Sequence, residues 1–330
     1  MSDVSAFRCG RVAVVGRPNA GKSTLVNRLV GRKVAIVSAV PQTTRNVILG
    51  VRNEPGCQLI FIDTPGVHLP KHELNRRMVA EAYAAMEGVD AIVAVIDASA
   101  RMGRGDRFVI ERVQATGIPF VLLLNKADRV KPKERLLPVI AELAAGPAVA
   151  VVPASALHGQ GLDGLLTELR ALVPEGPAQL PLDLATDQTE RFMIAELIRE
   201  KVLDATREEV PHATTVLVDA LRETEGAGER PRLVVDASLV VEKENQKAIL
   251  IGRGGQMLKR IGTAARLDVE EQLGVSCRLN LFVKVVRKWR EDRAVLAQVF
   301  EGSRGVVPGR PSAEELLAQL SDVPPPEDDE

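Results

Sequence analysis

The sequence predicts an α/β domain, a mostly parallel sheet with helices on both faces, followed by a smaller α+β domain. Three observations carry this. Short β-branched and apolar runs alternate with helical patterns through the first half; a non-periodic stretch rich in proline and glycine interrupts the chain after residue 173; beyond it the pattern becomes helix, two strands, two helices and a strand. With 330 residues and 45% apolar content the chain can bury two cores.

The strand runs of the first half are RVAVV (11–15), QLIFID (58–63), AIVAVID (91–97), FVLLLN (120–125) and VAVVPAS (149–155). Continuously apolar strands of this kind belong to a parallel sheet buried on both faces. VILGVR (47–52) is separated from QLIFID by only five residues, too few for a parallel crossover, so these two should pair as an antiparallel hairpin at one side of the sheet. Residues 1–10 are left as an N-terminal tail, 11–173 form the first domain and PEGPAQLPLDLATDQ (174–188) is the linker. The second domain, 189–300, opens with an amphipathic helix from Glu190 to about Glu209. The strands TTVLVDALRE and RLVVDASLVVE follow, then a helix, a GRGG turn, a helix to about Leu273 and the strand RLNLFVKVV. Beyond Trp289 a helix is expected to about Val299, and 301–330 is expected to be a disordered acidic tail.

Charge narrows the function. Ala313 to Glu330 holds seven acids and no Lys or Arg; setting it aside turns the chain's net −1 into +6. Within Asn245 to Arg290, ten Lys/Arg face three Asp/Glu, the footprint of a phosphate-backbone partner. Cys9, Cys57 and Cys277 are scattered and odd in number, which suits neither a disulfide framework nor a zinc site. No apolar stretch approaches the roughly 20 residues of a membrane span, and MSDVSAFRCGRV has neither a basic nor an apolar leader region. The sequence therefore predicts a cytoplasmic protein without a transmembrane segment.

GRPNAGKST, Gly16 to Thr24, follows a strand and opens a helix, so it meets both the spacing and the context of a P-loop. The small residues Gly16, Ala20 and Gly21 let backbone N–H groups, with those of Asn19 and Thr24, close around phosphates. Lys22 reaches the terminal phosphates and Ser23 is placed for Mg2+. Asp63-Thr64-Pro65-Gly66 closes the next strand; Asp63 can reach Mg2+ through water and the Gly66 amide can sense a γ-phosphate. Asn125-Lys126-Ala127-Asp128 selects the base: Asp128 can accept from both N–H groups that guanine presents, Asn125 would brace the loop and Lys126 would lie along the base. After the last strand, the Ser155-Ala156 backbone can meet the guanine carbonyl. Lys22, Asn19 and Gly66 are the candidates for acting on the reacting phosphate. A second threonine ligand for Mg2+ should lie between Lys33 and Asn46, where VPQTTRN offers Thr43 and Thr44.

Together these resemble, in order, four of the five motifs of the translation-factor-related P-loop GTPases, and resemblance to relatives favours Thr44 for the metal. Val67 stands where many signalling GTPases carry the glutamine that orients water, so intrinsic turnover should be slow. Asn19 is either a turn former or, as in the potassium-activated members of this class, a ligand to K+ beside the phosphates. His68 and His72 fall in the expected second switch.

In the second domain Gly252 and Gly255 bracket a GxxG turn between two helices, the mark of the K-homology (KH) fold, whose loop clamps a single-stranded nucleic-acid backbone. Gly252, Gly254 and Gly255 let phosphodiester approach the main chain, with Lys247, Arg253, Lys259 and Arg260 near enough to pair with phosphates. An aromatic content of 3% argues against a sheet that stacks bases.

With both halves read, the chain resembles the bacterial Era family of GTPases, a G domain followed by a type II KH domain. The resemblance runs from about Arg11 to Trp289 through GRPNAGKSTLVNRLVG, PQTTRN, FIDTPGVH, LLLNKAD, RFMIAELIREKV, VEKENQKAILIGRGGQMLKRIG and LNLFVKVVRKW. It implies a GTP-hydrolysing switch between GTP and GDP, dependent on Mg2+ and open to stimulation by K+. It further implies binding to the 3′ end of 16S ribosomal RNA, a role in assembling the 30S subunit, and GTP favouring the RNA-binding arrangement of the domains. Peripheral contact with the inner membrane is described for the family, and no lipid anchor is visible in the sequence. Two departures stand out: Phe282, where many relatives carry Trp, and the long acidic tail.

Overall fold

The computed structural model describes residues 6–66, 73–224 and 232–301. Two sheets organise it. The larger is built from β1 (Arg8–Gly16), β2 (Ile48–Glu54), β3 (Cys57–Asp63), β4 (Ala91–Asp97), β5 (Phe120–Asn125) and β6 (Ala150–Pro153), in the order β2-β3-β1-β4-β5-β6. All neighbouring pairs are parallel except β2 with β3, the edge hairpin that the short connection requires. The helices α1 (Lys22–Val30), α2 (Glu73–Ala84), α3 (Arg104–Ala115), α4 (Leu136–Ala144) and α5 (Leu162–Leu172) are interleaved with these strands. Two separate apolar layers result. Val12, Val14, Val93 and Leu123 pack with α1 and α5, whereas Ala13, Val15, Ile92 and Leu122 face α3 and α4, so successive residues of one strand serve opposite cores.

The first strand begins earlier than the apolar run suggests. Arg8 to Gly10, assigned above to a tail, pair with Cys57 to Leu59, because the Arg8 guanidinium is anchored on the Val173 carbonyl at 2.8 Å. The linker residues also lie on the sheet. Gln58 donates to the Leu180 carbonyl and accepts the Gln179 and Leu180 amides, and the Val51 amide reaches the Ala185 carbonyl. A proline-rich segment without periodicity is thus fixed by its backbone groups, a feature periodicity cannot register.

The second half contains α6 (Glu190–Ala205), α7 (Val210–Ala213), β7 (Thr215–Thr224), β8 (Arg232–Val241), α8 (Glu244–Ile251), α9 (Gln256–Leu273), β9 (Ser276–Val285) and α10 (Arg293–Glu301). In the sheet β7-β8-β9, β7 runs antiparallel and β9 parallel to β8. Ile194, Ile198 and Val202 of α6 share a core with Val235, Leu239, Ile261 and Ala265, so α6 and α9 cover one face of the sheet. Two boundaries differ from the sequence expectation. The first helix stops at Ala205 instead of about Glu209, since Thr206 turns to an extended backbone (φ −123°, ψ 164°) and Glu208 takes a positive φ of 58°. Trp289 sits in a single 3-10 turn, and the helix beyond it starts only at Arg293, after the left-handed Lys288. Val67, His68, His72 and the tail 302–330 lie outside the described residues.

The two halves meet over a polar and an apolar seam. Lys33 pairs with Glu200 at 2.6 Å and Asp268 at 3.2 Å, and Lys201 closes the network on Asp268 at 2.6 Å. Leu74 and Met78 of α2 bury against Trp289, Leu296 and Phe300.

Candidate nucleotide site and nucleic-acid interface

A glycine is required where β1 turns into α1. Gly21 adopts φ +95°, and a β-carbon there would strike the Asn125 amide. That close approach has a purpose in the fold: Asn125, buried at the end of β5, donates from Nδ2 to the Ala20 carbonyl at 2.8 Å and accepts the Ala156 amide at 2.9 Å. One side chain therefore ties the P-loop, the β5 loop and the Ser155-Ala156 loop together. The Ala156 amide, expected at a guanine carbonyl, is engaged with Asn125 in this arrangement. Lys126, itself left-handed at φ 61°, reaches the Asn19 carbonyl at 2.7 Å and Asp97 at 2.6 Å. Asp97, at the end of β4, escaped the sequence reading because a lone acid there has no motif around it.

The P-loop encloses a cavity of about 350 Å³ whose lining includes Asn19, Lys22, Ser23, Thr24, Thr44 and Gly66. Lys22 is buried and donates to the carbonyls of Gly16 (3.1 Å) and Arg17 (2.9 Å); desolvation lowers its pKa to about 8 against the opposing pull of Asp63. Gly66 abuts the P-loop, where an added β-carbon would fall 2.8 Å from the Pro18 nitrogen.

Three of the oxygen-bearing side chains singled out for Mg2+ converge. Ser23 Oγ lies 2.7 Å from Thr44 Oγ1 and donates to Asp63 Oδ2 at 2.6 Å. Thr43 points elsewhere: its hydroxyl donates to the Val40 carbonyl at 2.6 Å and its own carbonyl accepts from Arg199. Asp63 is fully buried, and Oδ1 has no hydrogen-bond partner among the described residues. Burial raises its pKa to about 6, against the Ser23 hydrogen bond and the Lys22 charge. Two hydroxyls and one carboxylate, one of whose oxygens is orphaned, form a hard-oxygen set suited to Mg2+.

Asn19 is left-handed at φ 63°, which fits a turn former, and its Nδ2 reaches the Ala39 carbonyl at 3.2 Å. Asp128 is held below the usual carboxylate range, chiefly by the Ser155 hydroxyl, with His158 Nε2 at 3.8 Å contributing charge. Its partial exposure leaves it open to a base.

In the second half, α8 stops at Gly252, with φ +70° and a backbone so close to Met257 that a β-carbon would lie 2.7 Å from Met257 Cβ. Gly254 and Gly255 are also left-handed, at φ +56° and +81°. Arg253, Lys259 and Arg260 are exposed around this turn and Lys247 is half-buried on α8. Arg260 leans back toward Met257 Sδ and the Ala205 carbonyl. Ile249 is 44% exposed on α8, an apolar surface beside the basic turn that residue patterning did not single out.

The segment between Lys33 and Asn46 is tied to the second half throughout. Glu200 accepts the Val37 amide at 3.0 Å, and Arg199 donates to the Thr43 carbonyl. Arg45 donates to the Thr214 carbonyl at 2.9 Å and lies 5.6 Å from the Trp289 ring centroid; Asn46 reaches the Val299 carbonyl at 2.8 Å. Five contacts, from Val37, Thr43, Arg45 and Asn46, thus join the loop carrying Thr44 to α6, Thr214, Trp289 and α10.

The family model described as 50S ribosome-binding GTPase matches residues 11–126, and that of the KH domain matches 209–290. GTPase Era of Lacticaseibacillus paracasei is 44% identical over 294 residues, 89% of this chain and 96% of that protein. GTPase Era of Synechocystis is 46% identical over 296 residues, 89% of this chain and 92% of that one. Among solved structures, an Aquifex aeolicus Era variant bound to GDP and AlF4− has a TM-score of 0.84 at 38% identity, covering 89% of this chain and 99% of the other. Era in complex with MgGDPNP and nucleotides 1506–1542 of 16S ribosomal RNA has a TM-score of 0.85 at 38% identity, covering 89% and 98%. Similarity at this level over nine tenths of its length shows that the chain belongs to the Era family of GTPases.

Proposed function

We propose that this GTPase uses its nucleotide state to control binding of the 3′ end of 16S ribosomal RNA during assembly of the 30S subunit. The observation that carries the reading is the attachment of residues 33–46, the loop that holds Thr44, to the half of the chain that holds the GxxG turn, through Lys33, Val37, Thr43 and Arg45. A loop that reorganises around a γ-phosphate cannot move without pulling on α6, and α6 packs on α9, whose N-cap is Gly255.

In this reading Gly16, Asn19, Ala20, Gly21 and Thr24 cradle the phosphates with their backbone groups. Lys22 leaves its loop carbonyls for the terminal phosphates, and Gly66 aims its amide at the γ-phosphate. Ser23, Thr44 and Asp63 hold Mg2+, Asp63 through water, and the metal supplies charge to neutralise the phosphates. Asp128 selects guanine, Lys126 lies along the base, and Asn125 positions the Ser155-Ala156 loop. Asn19 is placed to offer its side-chain oxygen to K+, whose charge would act where an arginine finger acts elsewhere. Hydrolysis then rests on positioning and electrostatics, without a covalent protein intermediate.

Gly252, Gly254 and Gly255 bring the RNA backbone against the main chain, Lys247, Arg253, Lys259 and Arg260 supply positive charge, and bases meet the apolar surface around Ile249. The bound RNA of a 38%-identical Era structure supports this partner. Among the described residues no helix is long and apolar enough to cross a membrane. A cytoplasmic site of action, with optional peripheral contact at the inner membrane, fits an RNA-directed role.

Single-turnover GTP hydrolysis by the full chain, in K+ and in Na+, with and without an RNA of the 16S 3′ end, tests the reading. Acceleration by the RNA is expected. Equal slow rates throughout would instead support an RNA chaperone in which hydrolysis is incidental, the alternative that the apolar Val67 keeps open.

A further inference from the structure

Between the two halves lies a second cavity, of about 370 Å³, unconnected with the expected nucleotide or RNA contacts. Its lining combines three cations, Arg45, Arg191 and Arg199, and one acid, Glu196, with the apolar Phe192, Val216 and Val299. Its charge is incompletely balanced. Glu196 pairs with Arg199, but Arg199 is 98% buried and its Nη1 has no hydrogen-bond partner among the described residues. Burial, with the neighbouring Arg199 charge adding to it against the opposing pull of Glu196, lowers the Arg45 pKa to about 9. A buried guanidinium with a free N–H beside a mixed apolar and cationic cavity is a site for a carboxylate carried on an apolar body.

Such a group is available in the chain itself. Gln298 and Val299 line the cavity, and the chain leaves the described fold at Glu301, within one helical turn of them. The remaining segment, 302–330, contains AEELLAQL (313–320), which joins Glu314 and Glu315 to Leu316, Leu317 and Leu320, and carries no Lys or Arg from Ala313 onward. The twelve residues between Glu301 and Glu314 can span up to about 40 Å when extended, ample for a return to a cavity that begins beside their anchor. Tethering also raises the effective concentration of the segment at the cavity into the range of about a millimolar.

We propose that Ala313–Leu320 docks in this interdomain cavity, its leucines against Phe192, Val216 and Val299 and its two glutamates toward Arg191 and Arg199. The segment then acts as a wedge between Arg45, in the loop that carries Thr44, and α6 of the RNA-directed half.

The test uses the full chain with Gln298→Cys and Ala318→Cys. The three native cysteines are buried, so oxidation in a glutathione buffer is read on the introduced pair by mass spectrometry. The disulfide is expected to form at least about fivefold faster with the native tail than with Glu314→Lys/Glu315→Lys, the difference that roughly 1 kcal/mol of charge pairing produces. Adding Arg191→Glu to the reversed tail is expected to restore part of the rate. Equal rates for the native and reversed tails would overturn the proposal. A slowed reversed tail with no recovery from Arg191→Glu would also overturn it, by placing the docking elsewhere. So would protection of the Arg191 to Ala195 amides from deuterium exchange by inorganic phosphate alone, unchanged by the tail mutations, which would assign the cavity to a free anion.

Discussion

The Arg45 guanidinium lies 5.6 Å from the ring centroid of Trp289 while donating to the Thr214 carbonyl at 2.9 Å, so a residue next to Thr44 is held in the core of the other half. Trp289 is fully buried and donates its own N–H to the Ala213 carbonyl at 2.7 Å. Removing the cation leaves the Thr214 carbonyl without that donor and removes the ring contact. Arg45→Ala is expected to lose about 2–4 kcal/mol of stability in denaturant unfolding. It should also reduce any difference between the RNA affinities of the GTP-bound and GDP-bound forms.

The convergence of Ser23, Thr44 and Asp63 distinguishes the two neighbouring threonines. Thr44→Ala is expected to raise the Mg2+ concentration needed for half-maximal GTP hydrolysis by about tenfold or more, because a ligand and its hydrogen bond to Ser23 are both lost. Thr43→Ala should shift it little, since that hydroxyl only caps the Val40 carbonyl. A titration of initial rate against Mg2+ for both variants decides between them.

Asp63 gives a pH signature in the nucleotide-free, metal-free protein. Its folded pKa of about 6 exceeds the ordinary 3.8, so the folded state binds the extra proton between those values. The contribution of this group to stability is therefore greatest below about pH 4 and is lost as pH rises through 6, by at most roughly 3 kcal/mol. Denaturant midpoints measured from pH 4 to 7 should show that loss superimposed on other titrations, and Asp63→Asn should remove it.

The GxxG turn has little room for side chains at its first glycine. Gly252→Asp adds strain at φ +70°, a contact with Met257 and a negative charge where phosphate is expected. RNA affinity should fall by at least about tenfold while GTP binding is unchanged, as measured by filter binding and nucleotide titration.

Much of this was legible in the sequence because it is local. A P-loop is a strand, a glycine turn and a helix in one continuous stretch, so Gly21, Lys22 and Ser23 can be placed by spacing alone, and the five-residue gap before β3 forces a hairpin. The GxxG turn was readable for the same reason. What escaped depends on contacts distant in sequence. Asp97 gains meaning only when β4 and β5 align it with Asn125, and the partners of Arg45, Arg199 and Glu200 are known only once the two halves are packed together. The backbone anchoring of the linker by Gln58 and the early start of β1 at Arg8 are likewise set by residues more than 40 positions away.

The central claim is that nucleotide state and RNA binding are coupled through the loop of residues 33–46. The most direct measurement is the affinity of the full chain for an RNA of the 16S 3′ end, titrated at one salt concentration with saturating GDPNP and Mg2+ and again with saturating GDP. The account predicts binding at least about tenfold tighter with GDPNP, a coupling of roughly 1.4 kcal/mol. Equal affinities in the two states would contradict it.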